Sequence, residues 1–240
     1  MSADCPCEIS PCQGPLCDWR LWERGVAFRL MDRALPDILS AYPTAGLLQR
    51  IMIRHRPDIC PPWRFYEHIP QGASVLDVGC GMGSHLITLA ALDRISSGHG
   101  VDVSSRAIDQ AALAAKSYPR SNLTFEVMRS IDSVPKNKFD VVIMIDVMHH
   151  VPKDRRESTF FGCVERVKSG GIFIYKDMAD RPSFNAFANR MHDLVIAGEW
   201  VRYLPLETAL EWGSAAGLQL VRRAEYKKLL YAHELLVFRS

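Results

Sequence analysis

The sequence predicts an α/β fold, a mostly parallel sheet with helices on both faces, preceded by a helical segment. Three observations carry that expectation. After residue 72, short apolar runs alternate with helix-like stretches, the texture of successive β-α units. The run Phe139–Val147 is almost wholly apolar, as a central strand buried on both faces must be. Leu218–Tyr226 and Ala232–Arg239 are strand-like and only five residues apart, too close for a crossover helix. One of that pair should therefore run antiparallel.

The elements follow in order. Residues 1–18 read as an extended, Cys-rich flexible tail. Residues 19–69 read as an N-terminal helical lid, with Trp22, Val26, Leu30 and Ala34 at helical spacing. Pro36 and Pro43 are expected to break it into separate helices, and Pro57–Pro62 to form a hinge. Residues 70–240 form the main domain. Ser74–Val78 is a strand closed by a glycine loop, and Ser84–Leu92 continues as a helix. His99–Val103, Leu123–Met128 and Gly171–Tyr175 are further strands. Ser105–Lys116 and Arg155–Lys168 are helices, the second with Gly170 as expected C-cap. Residues 183–197 and 205–216 also read as helical.

Composition narrows the function. Of 240 residues, 48 % are apolar and 23 % charged, which excludes collagen-like, mucin-like and wholly disordered chains. No apolar run reaches the ~20 residues of a membrane span. The start, Met1 to Cys5, has neither the basic region nor the apolar stretch of a secretory signal, so a cytoplasmic location is expected. The formal charge is +2, and the basic clusters are short, so nucleic acid is not expected as a partner. Four of seven cysteines, Cys5, Cys7, Cys12 and Cys17, lie in the tail. An odd count argues against a disulfide framework, and the spacing lacks the paired CxxC knuckles of a zinc ribbon. A reduced tail without metal is the expectation.

The sharpest motif is Asp77-Val78-Gly79-Cys80-Gly81-Met82-Gly83. Glycines at 79, 81 and 83 leave a strand-to-helix turn without Cβ atoms, so a ligand can lie against the backbone. Cys80 has the small side chain such a loop can pack. Asp102 ends the next strand nineteen residues after Gly83, where an acid meets the ribose hydroxyls of a nucleoside cofactor. Val103 follows it. A dinucleotide fingerprint would place its third glycine at 84, which is Ser84 here. Asp77 would moreover repel a pyrophosphate, yet it suits a cofactor carrying an ammonium and a sulfonium, as S-adenosylmethionine does.

These residues, with Asp102 and the block Phe139–Val151, resemble the class I S-adenosylmethionine-dependent methyltransferases, particularly their small-molecule branch. The resemblance covers about residues 65–240. It implies a Rossmann-like, seven-stranded sheet with an antiparallel last strand. It also implies that the glycine loop holds the methionyl part and Asp102 the ribose. In many relatives an acid soon after the third strand contacts the adenine amine. Here Asp132 stands about a turn too far along, so the adenine pocket is assigned to Ser130 and Ile131.

The acceptor side is read from the fourth strand and the segment after the fifth. Asp146 is the first charged residue after five apolar ones and should stand at the strand mouth, beside the cofactor amine or the acceptor. His149 and His150 are the best base candidates, since imidazole titrates near neutral pH; one of them could instead buttress the loop. Arg181 or Arg190 could clamp an acceptor carboxylate. Trp200 or Tyr203 could stack on a planar acceptor, and His192 shares that segment. Lys176–Val195 faintly resembles methyltransferases of aryl-polyene and polyketide-like pathways, which implies an aromatic acceptor.

The expectation is methyl transfer to oxygen, ahead of nitrogen or carbon, of a small organic molecule. The rivals are a silent scaffold with a metal- or partner-binding Cys tail, an RNA methyltransferase, and an arsenite methyltransferase using Cys60, Cys163 and the tail.

Overall fold

The computed structural model describes residues 24–178, 203–228 and 231–240. Helices α1 (Arg24–Ser40), α2 (Leu47–Ile59) and α3 (Trp63–Tyr66) lead into the strand β1 (Ala73–Val78). Then come α4 (Ser84–Ala91), β2 (Ile95–Asp102), α5 (Ser105–Ala115), β3 (Leu123–Val127) and β4 (Phe139–Ile145). The chain continues through α6 (Lys153–Val164), β5 (Val167–Met178), α7 (Leu206–Ala215), β6 (Gln219–Lys228) and β7 (Tyr231–Arg239).

The seven strands form one sheet in the order β3-β2-β1-β4-β5-β7-β6. β1 to β5 pair in parallel, whereas β7 runs antiparallel to both β5 and β6. The expected sheet, hairpin included, is therefore the observed one. Alternation along each strand divides the core between the two faces. Leu76, Val142, Met144, Phe173, Leu236 and Phe238 face Phe160 of α6 and Ala209 of α7. Val75, Val141, Ile143, Ile174, Leu235 and Val237 face Leu86 and Leu89 of α4, with Phe65 and Tyr66 of α3. Both sides of β4 are thus buried, which is why its sequence carries no polar alternation.

Three local expectations are corrected. Pro36 lies inside α1 and does not break it. A proline there removes the bond to the Asp32 carbonyl, a loss of ~3 kcal/mol in a helix interior. Burial of Ile38, Ala41 and Tyr42 against Ile87 of α4 outweighs it, at ~1.5–3 kcal/mol for each large side chain. Nor is Pro57–Pro62 a simple hinge, because α2 continues to Ile59 and α3 starts at Trp63. Finally, Gly170 is not a helix cap. α6 stops at Val164, Val167 already pairs with Phe139, and Gly170 (φ 74°) bends β5, donating its N–H to the Ser240 carbonyl.

Candidate functional site

β1 ends at Asp77 and Val78, and the glycine loop turns the chain into α4. The N–H groups of Gly79 and Cys80 both donate to the Val101 carbonyl, at 2.8 and 3.0 Å, so the loop is tied to β2. Gly79 has φ 75°, and a Cβ there would stand 2.4 Å from Val147 Cγ2. Gly83 has φ 74°, and its Cβ would meet Phe125 at 2.6 Å. No L side chain fits either place. Cys80 is buried, its sulfur filling the space beside Gly100.

Asp102 does more than the sequence indicates. Its Oδ2 accepts the Gly81 N–H and its Oδ1 accepts the Ser104 N–H, both at 2.8 Å. The acid at the end of β2 thus fixes the loop that ends β1 and the start of α5. Each carboxylate oxygen can accept a second bond, so the two ribose hydroxyls could be held as well.

A cavity of about 600 Å³ opens at this edge of the sheet. Gly79, Asp102, Val103, Ser130 and Ile131 line one part of it, and Asp146, Val147 and His150 another. Seven residues expected at the site from sequence therefore meet here. Asp132, in the tight turn Ile131–Ser133, lines it too. Buried Arg166 holds that wall, donating to the carbonyls of Ile131, Val134, Pro135 and Gly162.

Asp146 stands at the mouth of β4 in a left-handed conformation, φ 57°. Its carboxylate lies 2.5 Å from Lys176 Nζ, and its N–H donates to the Lys176 carbonyl at 2.8 Å. Burial alone would raise the Asp146 pKa, but the Lys176 ammonium beside it holds the carboxyl well below the usual range. In turn Asp146 keeps the fully buried Lys176 charged against its own burial. Asp146 thus presents a compensated carboxylate, not a free acid or base.

The two histidines separate. His150 is exposed and lines the cavity. His149 is buried behind it, with Nδ1 bonded to Asp177 Oδ1 and its peptide N–H donating to Asp177 Oδ2 at 3.1 Å. Arg156 grips the same turn from outside, donating to the carbonyls of His149 and Val151. The two imidazoles are 4.1 Å apart, and Tyr203 packs edge-on against His149 at 5.5 Å. Tyr203 is buried there and is not among the residues lining this cavity. Arg181, Arg190, His192 and Trp200 lie outside the described residues, as do the tail cysteines. Cys60, Cys80 and Cys163 are free and buried, and among the described residues no His, Cys, Asp and Glu group is arranged to hold a metal.

A second, smaller cavity of about 210 Å³ lies between α1, α2 and α4. His85 lines it, with Tyr66 Oη 3.0 Å from Nδ1 and Arg56 Nη2 3.3 Å from Nε2. Arginine only donates, so Nε2 accepts and Nδ1–H donates to the tyrosine, which requires a neutral ring. Burial, helped by Arg56, pushes the His85 pKa well below its ordinary value, in agreement.

Fold and site together are similar to those of the class I S-adenosylmethionine-dependent methyltransferases. A family model described as "Methyltransferase domain" matches residues 76–173. Among curated proteins, the chain is 33 % identical over 101 residues to the mitochondrial ubiquinone biosynthesis O-methyltransferase of Candida albicans, covering 41 % of this chain and 30 % of that protein. It is 26 % identical over 207 residues to the ubiquinone biosynthesis O-methyltransferase of Cereibacter sphaeroides, covering 85 % and 74 %. Among solved structures, magnesium protoporphyrin IX methyltransferase (ChlM) from Synechocystis, with bound SAH, superposes with a TM-score of 0.61 at 18 % identity, over 92 % of this chain and 97 % of that one.

S-adenosylmethionine is the cofactor of this class, and the residues present fit it. Asp77 is 1 % exposed, and its Oδ2 has no hydrogen-bond partner. Burial pushes its pKa up to about 7, opposed by Arg56 and assisted by Asp102. A buried carboxylate oxygen left without a donor beside a glycine loop is what an incoming ammonium would satisfy.

Proposed function

We propose that this chain transfers a methyl group from S-adenosylmethionine to a hydroxyl oxygen of a small, ring-bearing organic acceptor, with His150 taking the acceptor's proton. The observation that carries the reading is the position of His150 on the wall of the cavity that Gly79 and Asp102 also line. S-adenosylmethionine, when bound, supplies a methyl group activated by the sulfonium. Asp102 holds the ribose, the 130–132 turn faces the adenine, and Asp77 takes the ammonium. With the donor so fixed, acceptor alignment at near-attack distance can contribute ~7–11 kcal/mol.

A neutral hydroxyl also has to lose its proton, and an imidazole titrating near neutral pH is suited to accept it. His149 is the positioning residue for that base. Asp177 clamps both its ring and its peptide N–H, and Arg156 fixes the carbonyls on either side of His150. The O-methyltransferase names of the curated relatives favour oxygen as the target, and the quinone ring in those names favours a phenolic acceptor.

The test is turnover against pH, using catechol as acceptor. His150→Ala should lose roughly 10²–10⁴-fold at neutral pH, the usual worth of a positioned base. The deficit should shrink as the phenol ionises unaided, while S-adenosylhomocysteine affinity stays at the wild-type level. Wild-type turnover in His150→Ala across the whole pH range would remove the histidine from the chemistry.

A further inference from the structure

The helix α2 is built the wrong way round for a helix that only covers a core. Leu47, Ile51 and Met52 are 79 %, 46 % and 51 % exposed. These positions lie at i, i+4 and i+5, a single stripe along the helix. The same helix carries Ile53, 6 % exposed, with Arg54, His55 and Arg56, and these four line the second cavity. Three of the seven large apolar side chains exposed among the described residues therefore sit on two turns of one helix.

In sequence, this N-terminal segment has one sign of charge in excess. Residues 24–59 hold six arginines, Arg24, Arg29, Arg33, Arg50, Arg54 and Arg56, against Asp32, Asp37 and Asp58. That is a net +3 in a chain whose total is +2, so the remainder is slightly acidic. Arg54 is exposed at the edge of the stripe, and exposed Arg106 of α5 shares a groove with Leu47. An outward apolar stripe flanked by arginines is the pattern of a helix lying in the headgroup layer of a membrane. Basic residues beside it are attracted to anionic lipid, at roughly 1 kcal/mol each close to the surface.

We propose that α2 is a peripheral membrane-docking surface that seats Leu47, Ile51 and Met52 in an anionic lipid headgroup layer. Docking of this kind is interfacial, since no described helix is long and apolar enough to cross a bilayer. It places the outer wall of the second cavity at the lipid surface. The inference stands apart from the acceptor assignment, because Leu47, Ile51 and Met52 line neither the large cavity nor the second one.

Co-sedimentation of the full chain with vesicles tests it. Phosphatidylcholine vesicles containing about a third phosphatidylglycerol should bring the protein down, pure phosphatidylcholine much less, and high salt should weaken the difference. The triple variant Leu47→Ser, Ile51→Ser, Met52→Ser should lose at least tenfold in vesicle binding while keeping its melting temperature and S-adenosylhomocysteine affinity. If that variant misfolds, Leu47→Trp supplies a second measurement, a blue shift of its emission when anionic vesicles are added. Wild-type protein that stays in the supernatant, a serine variant that binds equally, or a tryptophan whose emission does not move would each overturn the proposal. A dimer that the serine variant dissociates, in protein that ignores vesicles, would assign the stripe to a second copy instead.

Discussion

Asp77→Asn keeps the shape of the buried side chain and removes its charge, so it isolates what that charge does for the cofactor. In the wild-type protein burial places the Asp77 pKa at about 7. Only the carboxylate attracts an ammonium, so affinity should rise with pH through that value. Between about pH 6 and about pH 8 the ionised fraction of such a group climbs from roughly one-eleventh to ten-elevenths, a tenfold gain in affinity or about 1.4 kcal/mol. At pH 8 the variant lacks a charge-assisted bond of ~1.5–3 kcal/mol, which is roughly 10- to 150-fold in dissociation constant. Calorimetric titration with S-adenosylhomocysteine at several pH values should thus give a tenfold slope for wild type and a flat line for the variant. Proton release on binding should appear below pH 7 in wild type alone. Stability of the ligand-free protein follows with the opposite sign. The folded-state pKa lies above the unfolded one, so stability is lost as pH rises from about 4 to about 7, and Asn abolishes that loss. Equal affinities at pH 8, or equal pH slopes, would mean that the ammonium is held elsewhere.

Other replacements probe other contacts. Asp102→Ala should weaken S-adenosylhomocysteine by ~1.5–3 kcal/mol and also lower the melting temperature, because two backbone N–H groups lose their acceptor; an unchanged affinity in titration would move the ribose away from this acid. Gly79→Ala should destabilise by ~1–2 kcal/mol for its positive φ and a further ~1–3 kcal/mol for the clash with Val147, read by urea unfolding. Phe160→Ala removes a fully buried ring between Phe173 and Trp212 and should cost about 3–5 kcal/mol by the same measurement, with little change in cofactor affinity.

What the sequence made readable was local. The glycine loop, Asp102 and the apolar run of β4 each announce themselves within a short window, because strand-turn-helix geometry and spacing set them. The antiparallel hairpin followed from a five-residue link, also a local constraint. What escaped were partners brought in by pairing of distant strands. Lys176 reaches Asp146 because Ile145 and Lys176 are in register between β4 and β5, and nothing near residue 146 signals a lysine thirty positions on. Asp177, next along β5, bonds His149 in the turn that follows β4. Arg156 and Arg166 look like solvated basic residues until the carbonyls they serve are seen. Pro36 shows the converse, a strong local rule overridden by the burial of Ile38 and Tyr42.

The position of β7 has a consequence for how the site comes into being. This strand lies between β5 and β6, and it sets Leu235 against Lys176 and Glu234 against Asp177. Until Tyr231–Arg239 has been synthesised, the outer edge of β5 has no partner, and neither does β6. Two unpaired strand edges then face water, the condition that invites pairing with other chains. The separation in sequence makes this closure a slow, late contact. The strand carrying Lys176 and Asp177 therefore gains its flanking support only at that step. A chain interrupted before residue 231 would keep every glycine of the cofactor loop and still emerge as an aggregating, inactive sheet.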